Sequence, residues 1–141
     1  MRILIAGGRS RTDYLVESLL ENGNDVVVVN SDRAWCERLS SRHNVPVICG
    51  DATKRYVLDD ADVEGFDIVI ALTNSDADNL VICQMAQHYF GIERQVCTVY
   101  DPRNISLFKK LGISSVISAT YLVAKLIEET SIAAMDDKRH G

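Results

Sequence analysis

The chain has 141 residues, of which 47% are hydrophobic and 25% are charged, and its formal net charge is −5. This length is sufficient for one domain that buries its own hydrophobic core. The acidic balance argues against a function in binding nucleic acid or an anionic membrane surface. No apolar run reaches the length of a membrane span and the N-terminus lacks the layout of a signal peptide, so we predict a cytoplasmic domain without direct membrane insertion.

The reactive residue types form no catalytic pattern. The cysteines contain no C-x-x-C pair, so we predict reduced thiols, mostly in the core, rather than metal ligands. The histidines lie outside the ligand crevice predicted below, and neither G-x-S-x-G nor H-E-x-x-H occurs. The sequence therefore predicts a protein that is not an enzyme. The residues concerned are Cys36, Cys49, Cys83 and Cys97, and His43, His88 and His140.

The first thirty residues predict a β-strand, a glycine turn, a helix and a second strand. Arg2–Ala6 and Asp25–Asn30 are nearly unbroken apolar runs, which is typical of parallel strands buried on both faces. Gly7 and Gly8 end the first run, and residues 12–21 carry apolar side chains at helical spacing. The turn after the first strand of such a unit favours phosphate, because backbone N–H groups and the helix dipole face outward there.

This turn departs from the dinucleotide-binding fingerprint G-x-G-x-x-G. With Gly7 as the first glycine, Arg9 and Thr12 occupy the second and third glycine positions. Asn30 stands where the fingerprint has a carboxylate for the ribose, and Arg9 or Arg11 can supply a cation to phosphate. We predict a working but altered nucleotide site, and the alternative is a βαβ unit whose turn is only a turn.

The start of the next predicted helix faces the same crevice. Ser31 or Asp32 can cap a helix that continues to about Arg42. Asn30, Ser31 and Arg33 together could accept the 2′-phosphate of NADP, whereas the charge of Asp32 argues against that ligand.

A third strand, predicted over residues 45–49, is followed by a short polar turn. In this turn Ala52 is small enough to lie against a flat base, and Asp51 offers an acceptor. Thr53 can cap a helix over residues 56–60. The alternative for Asp51 and Thr53 is ordinary turn and cap chemistry.

A fourth strand over residues 66–72 leads into a long helix that ends at about Tyr89. Thr73 and Asn74 follow the strand and would face the same crevice as the glycine turn, since ligands bind outside the carboxyl ends of parallel strands. Asn79, about one turn into the helix, either reaches the crevice or faces solvent.

The remaining residues predict two more strands, two more helices and a tail. Residues 95–100 and Ser115–Ser118 are the strands, and Pro102 begins the helix between them. Thr120 caps the last helix, and residues 136–141 form a frayed tail.

Six strands alternating with helices predict one α/β domain over residues 1–135. Right-handed crossovers give a Rossmann-like, doubly wound parallel sheet in the order 3-2-1-4-5-6, with helices on both faces. The apolar stripes of residues 105–111 and 122–127 either cover this sheet or form a dimer surface.

Four motifs link the chain to a known family. They are Gly50-Asp-Ala-Thr53, Ala71-Leu-Thr-Asn-Ser-Asp76 followed by Asn79, Tyr100-Asp-Pro102, and Phe108-Lys-Lys-Leu-Gly112 before Val116-Ile-Ser118. With them, residues 1–129 resemble the N-terminal nucleotide-binding lobe (TrkA-N type) of the RCK/KTN family. These are cytosolic regulatory proteins of Trk/Ktr-type potassium transporters and related channels.

The resemblance implies a crevice that holds NAD(H) or an adenine nucleotide such as AMP, ADP or ATP. By position, the glycine turn would cradle phosphate, Asn30 would lie at the ribose, Asp51 and Ala52 at the adenine, and Thr73 with Asn74 along the ribose and phosphate. The predicted cofactor site comprises Gly7, Gly8, Arg9, Ser10, Arg11, Asn30, Ser31, Asp32, Arg33, Asp51, Ala52, Thr53, Thr73, Asn74 and Asn79.

The resemblance also implies partners. The nucleotide would gate potassium flux through a homo- or hetero-oligomeric ring of RCK subunits, with the dimer as its unit, bound to a membrane potassium transporter subunit. We expect the C-terminal RCK lobe to be absent from this chain, and the lost glycines to favour AMP or ADP. The alternatives are a structural RCK subunit with a degenerate, empty site and an NAD(P)-dependent oxidoreductase, for which the sequence offers no acid or base.

Overall fold

The computed structural model describes residues 1–140 and contains six strands and six helices in that range. In chain order these are β1 (Arg2–Ala6), α1 (Ser10–Glu21), β2 (Asp25–Asn30), α2 (Arg33–Arg42), β3 (Val47–Cys49), α3 (Arg55–Asp60), β4 (Ile68–Ala71), α4 (Asp76–Phe90), β5 (Arg94–Val99), α5 (Asn104–Lys110), β6 (Ser115–Ser118) and α6 (Ala119–His140). The strands form one parallel sheet in the order β3-β2-β1-β4-β5-β6. This order confirms the predicted doubly wound fold.

The sheet separates two hydrophobic cores. Leu4 and Ala6 of β1 face the larger core, which contains side chains of α3 and α4. Ile3 and Ile5 face the smaller core, which contains side chains of α1 and α2. All four side chains are at most 2% exposed. Because helices cover both faces, successive residues of a central strand must all be apolar, which explains the unbroken runs in the sequence.

The predicted cap of α3 is wrong. The hydroxyl of Thr53 donates a hydrogen bond to Asp51 Oδ1 at 2.7 Å. The helix begins at Arg55, after Lys54, and no side chain caps it within the described chain. Thr53 is therefore part of a polar turn that its hydrogen bond to Asp51 closes. Ordinary turn chemistry was the alternative that the sequence left open.

Two predictions at the C-terminal end are also wrong. The Oγ atom of Ser118, and not Thr120, accepts a first-turn N–H of α6 at 3.1 Å. The tail predicted to fray from residue 136 is helical as far as His140, and Gly141 lies outside the described residues. Basic side chains near the end of this helix interact favourably with its dipole, which supports the extra turn.

The histidine and cysteine environments support structural roles. His43, whose side chain is 7% exposed, places Nε2 2.6 Å from Asp13 Oδ1 and so joins the end of α2 to α1. All four cysteines are free and three are buried, as predicted, while Cys49 is exposed.

The described residues contain no group of three or more His, Cys, Asp or Glu side chains that could hold a metal ion. None of the helices in residues 1–140 has both the length and the apolarity needed to cross a membrane.

The larger core should dominate stability. Leu58 in α3 is 0% exposed within it, whereas Leu107 in α5 is 49% exposed. Leu58→Ala should lower the free energy of unfolding by about 2–5 kcal/mol because it leaves a cavity. Leu107→Ala should lower it by less than about 1 kcal/mol. Equal losses for the two variants in urea denaturation would contradict this description of the core.

Candidate functional site

The turn between β1 and α1 is built on two glycines in the left-handed conformation. Gly7 and Gly8 have φ angles of +81° and +86°, which other residues adopt only with strain. A Cβ atom on Gly7 would lie 2.7 Å from Thr73 Cγ2, and one on Gly8 would lie 2.1 Å from Thr12 Oγ1. Both positions therefore require glycine, on account of the backbone conformation and of the neighbouring atoms.

Two buried polar side chains fix the shape of this turn. Thr12, which is 0% exposed, donates from Oγ1 to the carbonyl oxygen of Gly7 at 2.7 Å. Asn30, which is 4% exposed, donates from Nδ2 to the carbonyl oxygen of Gly8 at 2.8 Å. The threonine at the third fingerprint position thus fastens helix α1 to the turn by a hydrogen bond, where the fingerprint has a glycine.

The N-terminal end of α1 faces the space above this turn. Its cap residue, Arg9, makes no side-chain cap hydrogen bond, and Ser10 and Arg11 begin the helix. N–H groups in the first turn of a helix have no intrahelical partner and favour an anion. The side chain of Arg9 is 70% exposed and lies beside the same space. This end of the site is electropositive.

The turn after β2 brings a carboxylate to the cavity beside Arg9. Asn30 Oδ1 accepts from the N–H of Asp32 at 2.9 Å. Asp32 Oδ1 accepts from the N–H of Trp35 at 3.2 Å, so Asp32, and not the alternative Ser31, caps α2. Asp32 Oδ2 lies 3.8 Å from an Arg9 guanidinium nitrogen.

Burial raises the pKa of Cys36 to about 12, and its protonated Sγ donates to the carbonyl oxygen of Asn30 at 3.1 Å.

Asn79 fixes the end of β4. It is 0% exposed, so it neither faces solvent nor lines the crevice. Its Oδ1 accepts from Thr73 N at 2.9 Å and Thr73 Oγ1 at 2.6 Å. Its Nδ2 donates to the carbonyl oxygens of Thr73 at 3.2 Å and Thr98 at 2.8 Å. Asn79 therefore joins β4 to β5 from below and positions Thr73.

Asp76 fixes the end of β5 in the same manner. Its Oδ1 accepts from the N–H of Tyr100 at 2.8 Å, and its Oδ2 accepts from the N–H of Asp101 at 3.1 Å and from Asn104 Nδ2 at 2.9 Å. Pro102 lies in this connection, before the start of α5, and not at the first helical position as predicted. Polar residues at the starts of α4 and α5 thereby hold Tyr100 at the rim of the crevice.

These connections enclose a cavity of about 560 Å³ at the carboxyl ends of β1, β2 and β4. This volume is within the roughly 300–1,000 Å³ that small-molecule sites occupy. The cavity is lined by Gly7, Gly8, Arg9, Ser10, Arg11, Asn30, Ser31, Asp32, Leu72, Thr73, Asn74 and Tyr100. It lies where the sheet order reverses, which is the position at which doubly wound folds bind ligands.

Five residues proposed for the site from the sequence do not line this cavity. They are Arg33, Asp51, Ala52, Thr53 and Asn79. Ala52 is 7% exposed and belongs to the larger core. Hydrogen bonds from Thr53 hold the pKa of Asp51 below its ordinary value, so the carboxylate stabilises its own turn.

Two lining residues were missed by the sequence interpretation. Leu72 and Tyr100 follow β4 and β5 directly, and Tyr100 is 62% exposed. The signal that could have found Tyr100 is its place after the strand next to β4, since adjacent parallel strands end at one edge of the sheet.

This arrangement defines a Rossmann-like domain with a cationic glycine turn at its topological switch point. The model of the TrkA-N domain matches residues 3–119, which is most of the chain. The chain therefore belongs to the TrkA-N domain family, as the RCK resemblance of its motifs predicted.

Its sequence relatives are potassium uptake proteins. It is 30% identical over 145 residues to a Trk system potassium uptake protein TrkA homolog of Methanothermobacter thermautotrophicus, covering 100% of this chain and 67% of the relative. It is 32% identical over 132 residues to the Trk system potassium uptake protein TrkA of Mycobacterium tuberculosis, covering 92% of this chain and 59% of the relative. The chain thus spans about three fifths to two thirds of the length of these relatives.

Solved structures with the same architecture include two of the GsuK channel. The GsuK channel bound to NAD has a TM-score of 0.72 and 25% identity, covering 82% of this chain and 21% of that chain. The GsuK structure bound to ADP has a TM-score of 0.72 and 25% identity, covering 83% and 31%. The similarity to these GsuK structures agrees with the family assignment.

The contact between Gly8 and Thr12 should be sensitive to a single methyl group. Gly8→Ala combines a positive φ with a Cβ atom placed 2.1 Å from Thr12 Oγ1. It should lower the free energy of unfolding by about 3 kcal/mol or more, from strain and overpacking. Gly23→Ala is the matched control, with a φ of +80° and nothing within 4 Å, and should cost only about 1–2 kcal/mol. Equal losses in urea denaturation would refute the close contact.

The hydrogen bonds of Asn79 should fix the end of β4. Asn79→Leu keeps the number and branching of the side-chain heavy atoms but removes the hydrogen bonds that Asn79 makes to Thr73 N and Thr98 O. It should cost about 2–4 kcal/mol, because buried polar groups lose their partners. The Thr73 amide should then exchange with solvent faster relative to amides of β1, as measured by hydrogen exchange. Unchanged protection of Thr73 would show that Asn79 does not hold it.

Proposed function

We propose that this domain binds an adenine nucleotide or NAD(H) and thereby regulates a Trk-type potassium uptake system. The single observation that carries the proposal is the convergence of the glycine turn, the N-terminus of α1 and the side chains of Arg9 and Arg11 on one cavity of about 560 Å³. This combination suits a phosphate group, because uncapped N–H groups and guanidinium groups both bind anions.

The proposed ligand class is supported by similarity and by the turn itself. GsuK, with 25% identity, has structures bound to NAD and to ADP. In this chain Arg9 occupies the position at which the fingerprint glycine lets a pyrophosphate approach the backbone. We therefore favour AMP or ADP over an extended dinucleotide, with phosphate at the α1 end of the cavity.

The lining residues suit binding rather than turnover. The ionisable side chains among them are Arg9, Arg11, Asp32 and Tyr100. One oxygen of Asp32 caps α2, and its other oxygen lies near Arg9. General acid–base catalysis requires a group held at the reacting atom, and these side chains are instead placed to hold charge. The relatives are named as potassium uptake proteins, which supports a cytoplasmic regulatory role beside a membrane transporter.

Helix α6 supports a further part of the proposal, assembly with other subunits. Four of its apolar residues lie along one face at spacings of three and four and are 47–62% exposed: Leu122, Val123, Leu126 and Ile127. They do not cover the sheet of their own domain, which was the alternative interpretation. Exposed apolar surface of this extent marks an interaction site. We propose that it packs against another RCK subunit, with a dimer as the unit of a ring.

A structural subunit with an empty site is the second candidate function. Two observations favour it: Nδ2 and Oδ1 of Asn30 each have a hydrogen-bond partner within the protein, and two fingerprint glycines are lost. The two candidates differ in whether the cavity binds any nucleotide.

A ligand panel distinguishes them. AMP, ADP, ATP, NAD⁺, NADH and NADPH are added to the purified chain, and the melting temperature is measured. A ligand present at one hundred times its Kd should add about 2.7 kcal/mol of stability.

Arg9→Ala should weaken the binding of ADP by about 1 kcal/mol, because an exposed cation–phosphate contact is lost.

The matched control for Arg9→Ala is Arg33→Ala, which removes the same charge outside the cavity. This variant should bind ADP as the unmodified chain does. Equal weakening by both variants would attribute the effect to net charge, and the absence of any shift with all six ligands would support the empty structural subunit.

The proposed assembly surface predicts a change in mass. Leu126→Lys places a charge within the apolar stripe of α6 and should convert dimers to monomers, as measured by light scattering. Glu128→Lys introduces the same side chain about 200° further round the helix and should leave the dimer intact. Dissociation by both variants, or by neither, would overturn the assignment of this stripe to the interface.

A further inference from the structure

The family fingerprint assigns ribose recognition to the side chain at the end of β2, which is Asn30 in this chain. Asn30 is poorly placed for that task. It is 4% exposed, its Nδ2 donates to Gly8 and its Oδ1 accepts from Asp32. Its amide is neutral, and its polar atoms hold the two turns on either side of the cavity. A ribose hydroxyl that needs an acceptor must therefore find one elsewhere.

Asp32 supplies that acceptor. It is the carboxylate among the residues that line the described cavity, and its side chain is 41% exposed. Its two oxygens are differently used: Oδ1 accepts from Trp35 N at 3.2 Å, whereas Oδ2 lies 3.8 Å from a guanidinium nitrogen of Arg9. At that distance Oδ2 is outside hydrogen-bond range of Arg9 and retains acceptor capacity on the side of the cavity.

The neighbouring cation makes the arrangement fit one end of a nucleotide. In a nucleotide, the ribose hydroxyls lie on the sugar that carries the 5′-phosphate. Arg9 and Asp32 offer a cation and an anion side by side, so one ligand can place phosphate near the first and hydroxyls near the second. A 2′-phosphate at the same place would meet the negative charge of Asp32.

We propose that Asp32, and not Asn30, binds the ribose hydroxyls and makes the site selective for nucleotides with an unmodified ribose. This inference rests on the proposed nucleotide binding. The site then rejects a deoxyribose, which leaves Oδ2 without a donor, and it rejects a 2′-phosphate by charge. Asp32 is thus a specificity-determining residue, two positions after the one that the fingerprint uses.

The test compares affinity ratios, because a role for Asp32 in capping α2 alone would not change them. Isothermal titration measures ADP against 2′,3′-dideoxy-ADP, and NADH against NADPH, on the full chain. The unmodified chain should prefer the first of each pair by at least about tenfold, as expected for loss of a charge-assisted hydrogen bond.

Two variants keep the helix cap while changing the acceptor. Asp32→Asn and Asp32→Ser both retain a side chain that can cap α2, so each should fold with a melting temperature close to that of the unmodified chain. Both should reduce the two preferences to about threefold or less. Glu37→Gln, an exposed carboxylate of α2 that does not line the cavity, is the control and should leave both ratios unchanged.

The outcomes separate this inference from the function on which it rests. Binding of neither ADP nor NADH to the unmodified chain would overturn the proposed function. Binding of either one without the expected preference would overturn the assignment of ribose recognition to Asp32. The proposed function would then still stand. The assignment would also fail if Asp32→Asn and Asp32→Ser kept the preference of the unmodified chain.

Discussion

The hydrogen bonds of Thr12 and Asn30 to the carbonyl oxygens of Gly7 and Gly8 are the constraint on which the site depends. They hold two consecutive residues with positive φ and bring α1, β1 and β2 together at one point. Both donors are buried, so each bond also satisfies a group that would otherwise destabilise the core. The direction of the α1 N-terminus, and hence the electropositive end of the cavity, follows from this contact.

The wall of the cavity at the ends of β4 and β5 is likewise fixed by hydrogen bonds between side chains and backbone groups. Asn79 and Asp76, both near the start of α4, accept backbone N–H groups at the ends of β4 and β5. Polar side chains thus fix three neighbouring strand ends from beneath the cavity, while Arg9 and Tyr100 at its rim keep exposed side chains. A rigid polar floor beneath adaptable rim residues such as Arg9 and Tyr100 is suited to a ligand that binds and leaves.

The sequence predicted the sheet order because apolar runs, glycine turns and helical periodicity are local signals. It also predicted ten of the residues that line the cavity, because parallel strands end at one edge of the sheet. The cavity lining does not include Ala52, Asp51 and Thr53, for which family position suggested a ligand contact. Ala52 is within the larger core, and Asp51 and Thr53 bond to one another. Small size and hydrogen-bonding capacity do not say which neighbour a side chain will meet.

By itself, the sequence determined the elements, their parallel pairing and the edge at which a ligand would lie. The tertiary structure decided what each polar side chain in that region does. Asn30 and Asn79 have the composition of ligand-binding residues, yet their atoms are engaged by carbonyl and N–H groups up to 22 residues away in the chain. Asp32 retains an oxygen for the cavity. The physical reason is that local spacing sets secondary structure, whereas hydrogen-bond partners are set by residues distant in sequence that folding brings together.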